Sequence, residues 1–187
     1  MNFSGGLLLT CFYSFMTALF AALIMVPFLR QWALEKDTVD QPDARKIHDI
    51  PMPRLGGIAI FLAFLFSAII YLPIDEKIRG VLAGTLIIFA TGVVDDLNGL
   101  TSRRKFAGQV AACLTTILVG KLYLTDLGNL FGFGPVVMPL WLGVLFTVFA
   151  VVGVINAINL IDGLDGLAGG VSSIALTAFF LIGWLEN

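Results

Sequence analysis

Uncharged, predominantly apolar runs account for most of the chain: residues 3–29, 55–74, 80–94, 106–120, 127–161 and 166–185. A helix rises about 1.5 Å per residue and a bilayer's hydrocarbon core is about 30 Å thick, so the first run is long enough to cross as one helix. No basic stretch precedes it and no small-residue cleavage site follows it, which argues against a removable signal peptide. The runs at 80–94 and 106–120 are short, but Arg79 and Lys105 at their ends can carry their charges out to the interface on long apolar stems. The run at 127–161 is too long for one span. Gly128, Gly132, Gly134, Pro135 and Pro139 predict an irregular or hairpin connection over about 123–138, followed by a helix over about 139–158. The pattern predicts an all-α polytopic membrane protein with about six transmembrane helices in one transmembrane domain over 1–187.

Basic residues orient the spans. Arg30, Lys36, Arg45, Lys46 and Arg54 follow the first span and Arg103, Arg104 and Lys105 follow the third, whereas Lys77, Arg79 and Lys121 occupy the alternate connections. Eight against three predicts that the first, third and fifth connections are cytoplasmic and the N-terminus outside. A net charge of −2, from 11 basic and 13 acidic side chains among 187 residues, gives no electrostatic reason for nucleic-acid binding. Cys11 and Cys113 lie inside apolar runs without metal-ligand spacing and read as small hydrophobes. His48 is the single histidine, so no histidine cluster can operate within these residues.

Three polar clusters remain, all predicted on the cytoplasmic side. The first runs from Asp40 to Gly57. Its three prolines favour a fixed loop, and Arg45, Lys46, His48 and Arg54 could converge on phosphate oxygens; the same charges could equally serve only to set topology. The second holds Asp95, Asp96 and Asn98 at the end of the third span, with Lys105 beyond. Adjacent carboxylates repel each other and cost about 2.5–3.5 kcal/mol apiece if carried to the bilayer centre, so they belong at the interface. A cation joining them is the natural compensation. Mg2+ suits such a pair, because it takes one or two carboxylates together with water and substrate phosphates; a solvated helix end with a turn is the plainer reading. In the third cluster, Asn156, Asn159, Asp162 and Asp165 recur every third residue, which places neighbours on one side of a helical stretch, while Gly163 and Gly166 permit close approach or a break. No lysine or arginine follows Lys121, so these carboxylates lack a local basic partner in sequence.

Together the clusters resemble the polyprenyl-phosphate N-acetylhexosamine 1-phosphate transferases, glycosyltransferase family 4. Asp95 and Asp96 with Lys105 are similar to the family's aspartate-pair motif, and Asn159 through Gly166 to its Asn-x-x-Asp-Gly-x-Asp-Gly motif. The stretch from Gly120 to Gly132 and the Arg45-Lys46-x-His48 loop are more similar to the WecA type, which uses UDP-N-acetylglucosamine, than to the muramoyl-pentapeptide type. Members usually have ten or eleven spans and carry a later Phe-x-Gly-Asp-x-Gly motif and a His-x-His-His-type motif. Neither occurs in these residues, so the chain resembles the N-terminal portion of such an enzyme.

The resemblance implies a bacterial plasma-membrane enzyme whose partners are a UDP-sugar and a polyprenyl phosphate lipid. N-acetylglucosamine 1-phosphate would pass from UDP-N-acetylglucosamine to undecaprenyl phosphate with Mg2+ as cofactor, for cell-envelope polysaccharide synthesis. It implies catalytic roles for Asp95, Asp96, Asp162 and Asp165, with Asp95 and Asp96 also as metal ligands. Arg45, Lys46, His48, Arg54, Lys105, Asn156 and Asn159 are the implied substrate contacts. A homo-oligomer is compatible with the sequence and not specified by it. Two other classes stay open: an inactive chain that works only by assembly, and an ion transporter, which would place its acids near mid-span.

Overall fold

The computed structural model describes residues 3–35, 39–40, 52–53, 56–164 and 166–186. Six helices follow in order: α1 (Phe3–Glu35), α2 (Gly56–Tyr71), α3 (Glu76–Asn98), α4 (Ser102–Gly120), α5 (Leu140–Ile161) and α6 (Leu167–Leu185). Two-residue strands, β1 (Val39–Asp40) and β2 (Met52–Pro53), pair antiparallel between α1 and α2, with Val39 opposite Pro53 and Asp40 opposite Met52. The all-α membrane architecture expected from the hydrophobic pattern is present. Among the described residues four segments are long and apolar enough to cross a membrane: Gly6–Gln31, Glu76–Asn98, Leu140–Ile161 and Leu167–Leu185. The expectation of six spans exceeds this number. α2 has 16 residues, about 24 Å of helix, and α4 begins in the charged stretch Arg103, Arg104 and Lys105.

Helix ends also differ from the hydrophobic boundaries. α1 runs past Pro27 and Arg30 to Glu35, and α3 includes Glu76, Lys77 and Arg79 at one end and Asp95 and Asp96 at the other. Charge ends an apolar run without ending the backbone hydrogen-bond ladder, and arginine, glutamine and glutamate are good helix formers. At the start of α3 the Asp75 carboxylate accepts the Ile78 N–H at 2.8 Å, satisfying one of the donors a helix N-terminus leaves unpaired.

By its contacts the chain divides into two compact units, Met1–Lys121 and Leu122–Asn187. The interior of the first is built from small residues. Ala59, Ala63, Ser67 and Ala68 of α2, Gly80 and Gly84 of α3, and Ala112, Cys113, Ile117 and Gly120 of α4 are buried. Large side chains such as Phe64, Phe66, Leu86 and Leu118 point outward. That inversion of the soluble pattern follows from the solvent: lipid is as apolar as leucine, so helices associate by close backbone approach and interhelical hydrogen bonds.

α1 and α2 use the second device. The Ser67 hydroxyl lies 2.7 Å from the Ser14 carbonyl and 2.9 Å from the Ser14 hydroxyl, and Thr17 and Tyr71 hydroxyls meet at 3.1 Å. Phe61 of α2 stacks on Phe89 of α3, with ring centroids 3.9 Å apart. Ser67→Ala is expected to loosen the α1–α2 pair by about 0.6 kcal/mol, read as a lower unfolding midpoint in detergent. Thr10→Ala is the control: the Thr10 hydroxyl bonds only the Gly6 carbonyl of its own helix, and its loss should leave the midpoint in place.

The second unit joins α5 and α6 to a hairpin that precedes α5. The expected irregular or hairpin connection over 123–138 is this hairpin: Asp126 pairs with Val137 in an antiparallel bridge. Leu127 donates to Val136, Val136 to Gly128, and Met138 to Thr125, at 2.7–3.0 Å. The Leu124 N–H donates to the Thr147 hydroxyl of α5 at 2.8 Å.

Candidate functional site

The aspartate pair occupies the last turn of α3. Gly99 follows with φ +66°, a left-handed conformation costly for residues with a β-carbon, and its N–H closes the helix on the Asp95 carbonyl at 2.8 Å. The chain then reverses through Leu100 and Thr101 into α4. The Asp95 side chain clamps this reversal from both ends. Its Oδ1 accepts the Leu100 N–H at 2.8 Å, and its Oδ2 binds the Lys105 ammonium at 2.6 Å. The carboxylate is 24% exposed. Asp96 and Asn98 are exposed.

The expectation that a cation would join the aspartates thus has one protein-borne answer, because Lys105 sits on Asp95. The motif implies a phosphate contact for Lys105, and the bridge between residues ten apart is an addition that the fold makes. The signal was available, since a two-residue reversal after Gly99 brings the first turn of α4 back beside the last turn of α3.

The third cluster straddles a helix end. Asn156 and Asn159 lie in α5, and Asp162 caps it immediately after Ile161. The Asn156 amide donates to the Val152 carbonyl one turn back at 2.8 Å. Asn159 and Asp162 are exposed. Gly166, at φ +78°, starts α6, and the Gly170 N–H donates to its carbonyl. The helix expected over about 139–158 therefore runs three residues further and carries Asn159. Of the two roles considered for the glycines, the break is the one found: the every-third-residue series does not continue on one helix, because the α5 ladder ends at Ile161.

Asp165 lies outside the described residues, as do Arg45, Lys46, His48 and Arg54 of the first cluster. In sequence, Arg45, Lys46 and His48 fall between the paired strands β1 and β2, and Arg54 follows β2.

Both acidic clusters lie at helix C-termini, with no basic residue in the last turn of α3 or α5. This is the end where the helix dipole presents negative potential, so each carboxylate there works against about 0.3–1 kcal/mol. Among the described residues no group of three or more His, Cys, Asp or Glu is gathered in the manner of a closed metal cage. An adjacent carboxylate pair is instead an open donor set, of the kind hard divalent cations share with water and phosphate oxygens.

Comparison with known proteins agrees with the motifs. The "Probable undecaprenyl-phosphate N-acetylglucosaminyl 1-phosphate transferase" of Bacillus subtilis (strain 168) is 35% identical over 110 residues, 57% of this chain and 30% of that protein. The "Undecaprenyl-phosphate alpha-N-acetylglucosaminyl 1-phosphate transferase" of Escherichia coli (strain K12) is 32% identical over 171 residues, 90% of this chain and 46% of that protein. The "Decaprenyl-phosphate N-acetylglucosaminephosphotransferase" of Mycobacterium leprae (strain TN) is 33% identical over 121 residues, 60% of this chain and 30% of that protein. The chain thus spans less than half the length of these curated relatives. No solved structure matches it. The model of glycosyl transferase family 4 matches residues 78–187, a stretch that holds the aspartate pair, Lys105 and the whole Asn159–Gly166 motif, and the chain belongs to that family.

Proposed function

We propose that the complete protein carrying this chain transfers N-acetylglucosamine 1-phosphate from UDP-N-acetylglucosamine to undecaprenyl phosphate, in the bacterial plasma membrane and on its cytoplasmic face. The observation that carries this reading is the placement of both acidic clusters at the C-terminal ends of apolar helices. A carboxylate pair and a helix dipole there add to one negative potential, a costly arrangement that a bound cation reverses. The relatives' names carry the undecaprenyl-phosphate acceptor and the N-acetylglucosaminyl 1-phosphate group, and the family resemblance implies the UDP-linked donor.

An oxygen of the lipid phosphate attacks the sugar-linked phosphorus of the nucleotide sugar. A phosphorus–oxygen bond forms to the lipid, the bond to the uridine-bearing phosphate breaks, and UMP leaves with that bond's electron pair. Two anions must approach each other, so positioning and charge screening supply most of the acceleration. Asp95 and Asp96 are the residues that would hold Mg2+, whose charge would screen the meeting phosphates. Asp95 keeps the Lys105 ammonium at the same helix end, where it is a second cation for phosphate oxygens. Arg45, Lys46, His48 and Arg54 extend that set. Asn156, Asn159, Asp162 and Asp165 serve the nucleotide side. An already ionised lipid phosphate needs no general base, so these side chains act chiefly by binding and orienting. The aqueous nucleotide and the lipid-held acceptor share access only at an interface, which is where helix-end carboxylates lie.

One phosphoanhydride replaces another, so the reaction runs near balance in both directions. Membranes carrying the complete protein are expected to exchange labelled UMP into UDP-N-acetylglucosamine, with the exchange abolished by EDTA and restored by Mg2+. Release of free sugar phosphate to water without exchange identifies a hydrolase and overturns the reading. Ion flux without either overturns it in favour of a transporter.

A further inference from the structure

We infer that the hairpin before α5 is a membrane-dipping element, whose tip at Leu130, Phe131 and Phe133 lies in the lipid of the leaflet at the N-terminal end of α5. Three independent features of the second unit point there. The first is exposure: Phe133 is 98% exposed, Phe131 72% and Leu130 62%, with Val137 and Trp141 continuing the apolar surface on to α5. An aromatic side chain held fully in water has a cost of about 1.5–3 kcal/mol relative to burial, and three large apolar groups within four residues of one tip exceed what scattered surface residues require.

The second feature is how the hairpin treats its polar groups. Backbone at the hydrocarbon level needs its N–H and C=O groups satisfied from within; bonds within the hairpin satisfy its stem, so the tip backbone at Leu130 to Phe133 stays at the hydrated headgroup level while its apolar side chains reach the lipid. The Asp126 carboxylate turns back to accept the Gly128 N–H at 2.8 Å, and the Asn129 side-chain oxygen accepts the Gly134 N–H at 2.9 Å across the tip. Leu127, Val136 and Met138 find backbone partners within the hairpin. Pro135 has no N–H to satisfy. The Asp126 and Asn129 side chains, themselves exposed, are engaged in these bonds, and the tip beyond them presents Leu130, Phe131 and Phe133.

The third is attachment. The Leu124 N–H is bound to Thr147, one turn beyond Gly143, and a β-carbon at Gly143 would come within 2.6 Å of the Leu124 carbonyl oxygen. The hairpin base is seated directly on α5, itself long and apolar enough to span a membrane. No charged residue occurs from Leu127 to Ile161. The apolar tip is thereby continuous with a helix surface that already faces lipid. Aromatic rings at this level are the usual anchors of a span at the headgroup boundary.

Phe133→Cys, made with Cys11→Ala and Cys113→Ala, can carry a nitroxide and be reconstituted in phosphatidylethanolamine and phosphatidylglycerol vesicles. A label at Lys77→Cys, in the exposed first turn of α3, is the water-facing reference. The inference expects collisions with oxygen, which partitions into lipid, to exceed collisions with a water-soluble nickel chelate several-fold at 133, and the reverse at 77. Nickel access at 133 equal to that at 77 overturns it in favour of a solvated tip. Low access to both reagents overturns it in favour of a protein partner covering the tip. If the labelled protein does not reconstitute, Phe133→Trp with the three native tryptophans replaced by Phe reads the same point. Quenching by lipids brominated near the headgroup is expected, and quenching by aqueous acrylamide alone overturns the inference.

Discussion

In the complete protein, on the proposed transferase reading, Asp95→Asn and Lys105→Met are each expected to reduce UMP exchange by about 100-fold, the range seen when one positioned electrostatic contact is removed from a reacting centre. The double variant is expected to be little worse than either alone. Oδ2 of Asp95 holds the Lys105 ammonium at 2.6 Å, so either substitution dissolves the same ion pair, and losses within a unit do not add. Initial exchange rates in membranes, normalised to protein level, decide it. Losses that multiply to about 10,000-fold in the double variant would show that the two side chains act separately. Asp95→Ala differs from Asp95→Asn in a second readout. Asparagine keeps an oxygen for the Leu100 N–H, whereas alanine removes it, at a cost of about 1 kcal/mol for a lost helix-end contact. Amide exchange at Leu100 should quicken in the alanine variant and stay near the parent value in the asparagine one.

Substitution at the α3–α4 contact should have the largest effect on stability. A β-carbon at Gly80 would meet the Gly120 backbone, and one at Gly84 would meet the Thr116 side chain and lie 2.8 Å from the Ala112 carbonyl oxygen. Backbone cannot step aside as a rotamer can, so Gly80→Val should push α3 from α4 at a cost of about 3 kcal/mol. Gly92 of the same helix has open space around its α-carbon. Gly92→Ala should therefore be neutral or stabilising by about 0.5–1 kcal/mol, as expected for relieving a helix of its most flexible residue. Unfolding midpoints in detergent, with Asp95–Lys105 proximity read by cross-linking of cysteines at those positions, test the pair. Equal midpoints for Gly80→Val and Gly92→Ala would remove the close-packing argument. The same wedge should also lower exchange activity, since Asp95 and Lys105 belong to the two helices being forced apart.

Much of this molecule is legible residue by residue. Hydropathy marks α1, α3, α5 and α6, because a helix in lipid declares itself through an uninterrupted apolar run rather than a faint periodicity. Gly128 through Pro139 announce the hairpin by turn chemistry. The motifs at Asp95 and at Asn159–Gly166 identify the family and hence the residue types of the site. The boundaries were less legible. Arg30, Glu76 and Asp95 look like ends of spans but lie within helices, since hydrogen-bond ladders continue through charged residues that membrane burial would not tolerate.

Local pattern alone determined the membrane class and the order of the helices, because each depends on the transfer energy or conformational preference of neighbouring residues. Tertiary structure decided which small residues touch, as at Gly80 and Gly120. It decided that Lys105 answers Asp95, and that Asp126 and Asn129 bond N–H groups of the hairpin while Phe131 and Phe133 stay unpacked. Such facts depend on the register between segments and on the direction of each side chain. Glycine or aspartate has the same identity in sequence whether it is open or in contact, and only packing separates the two.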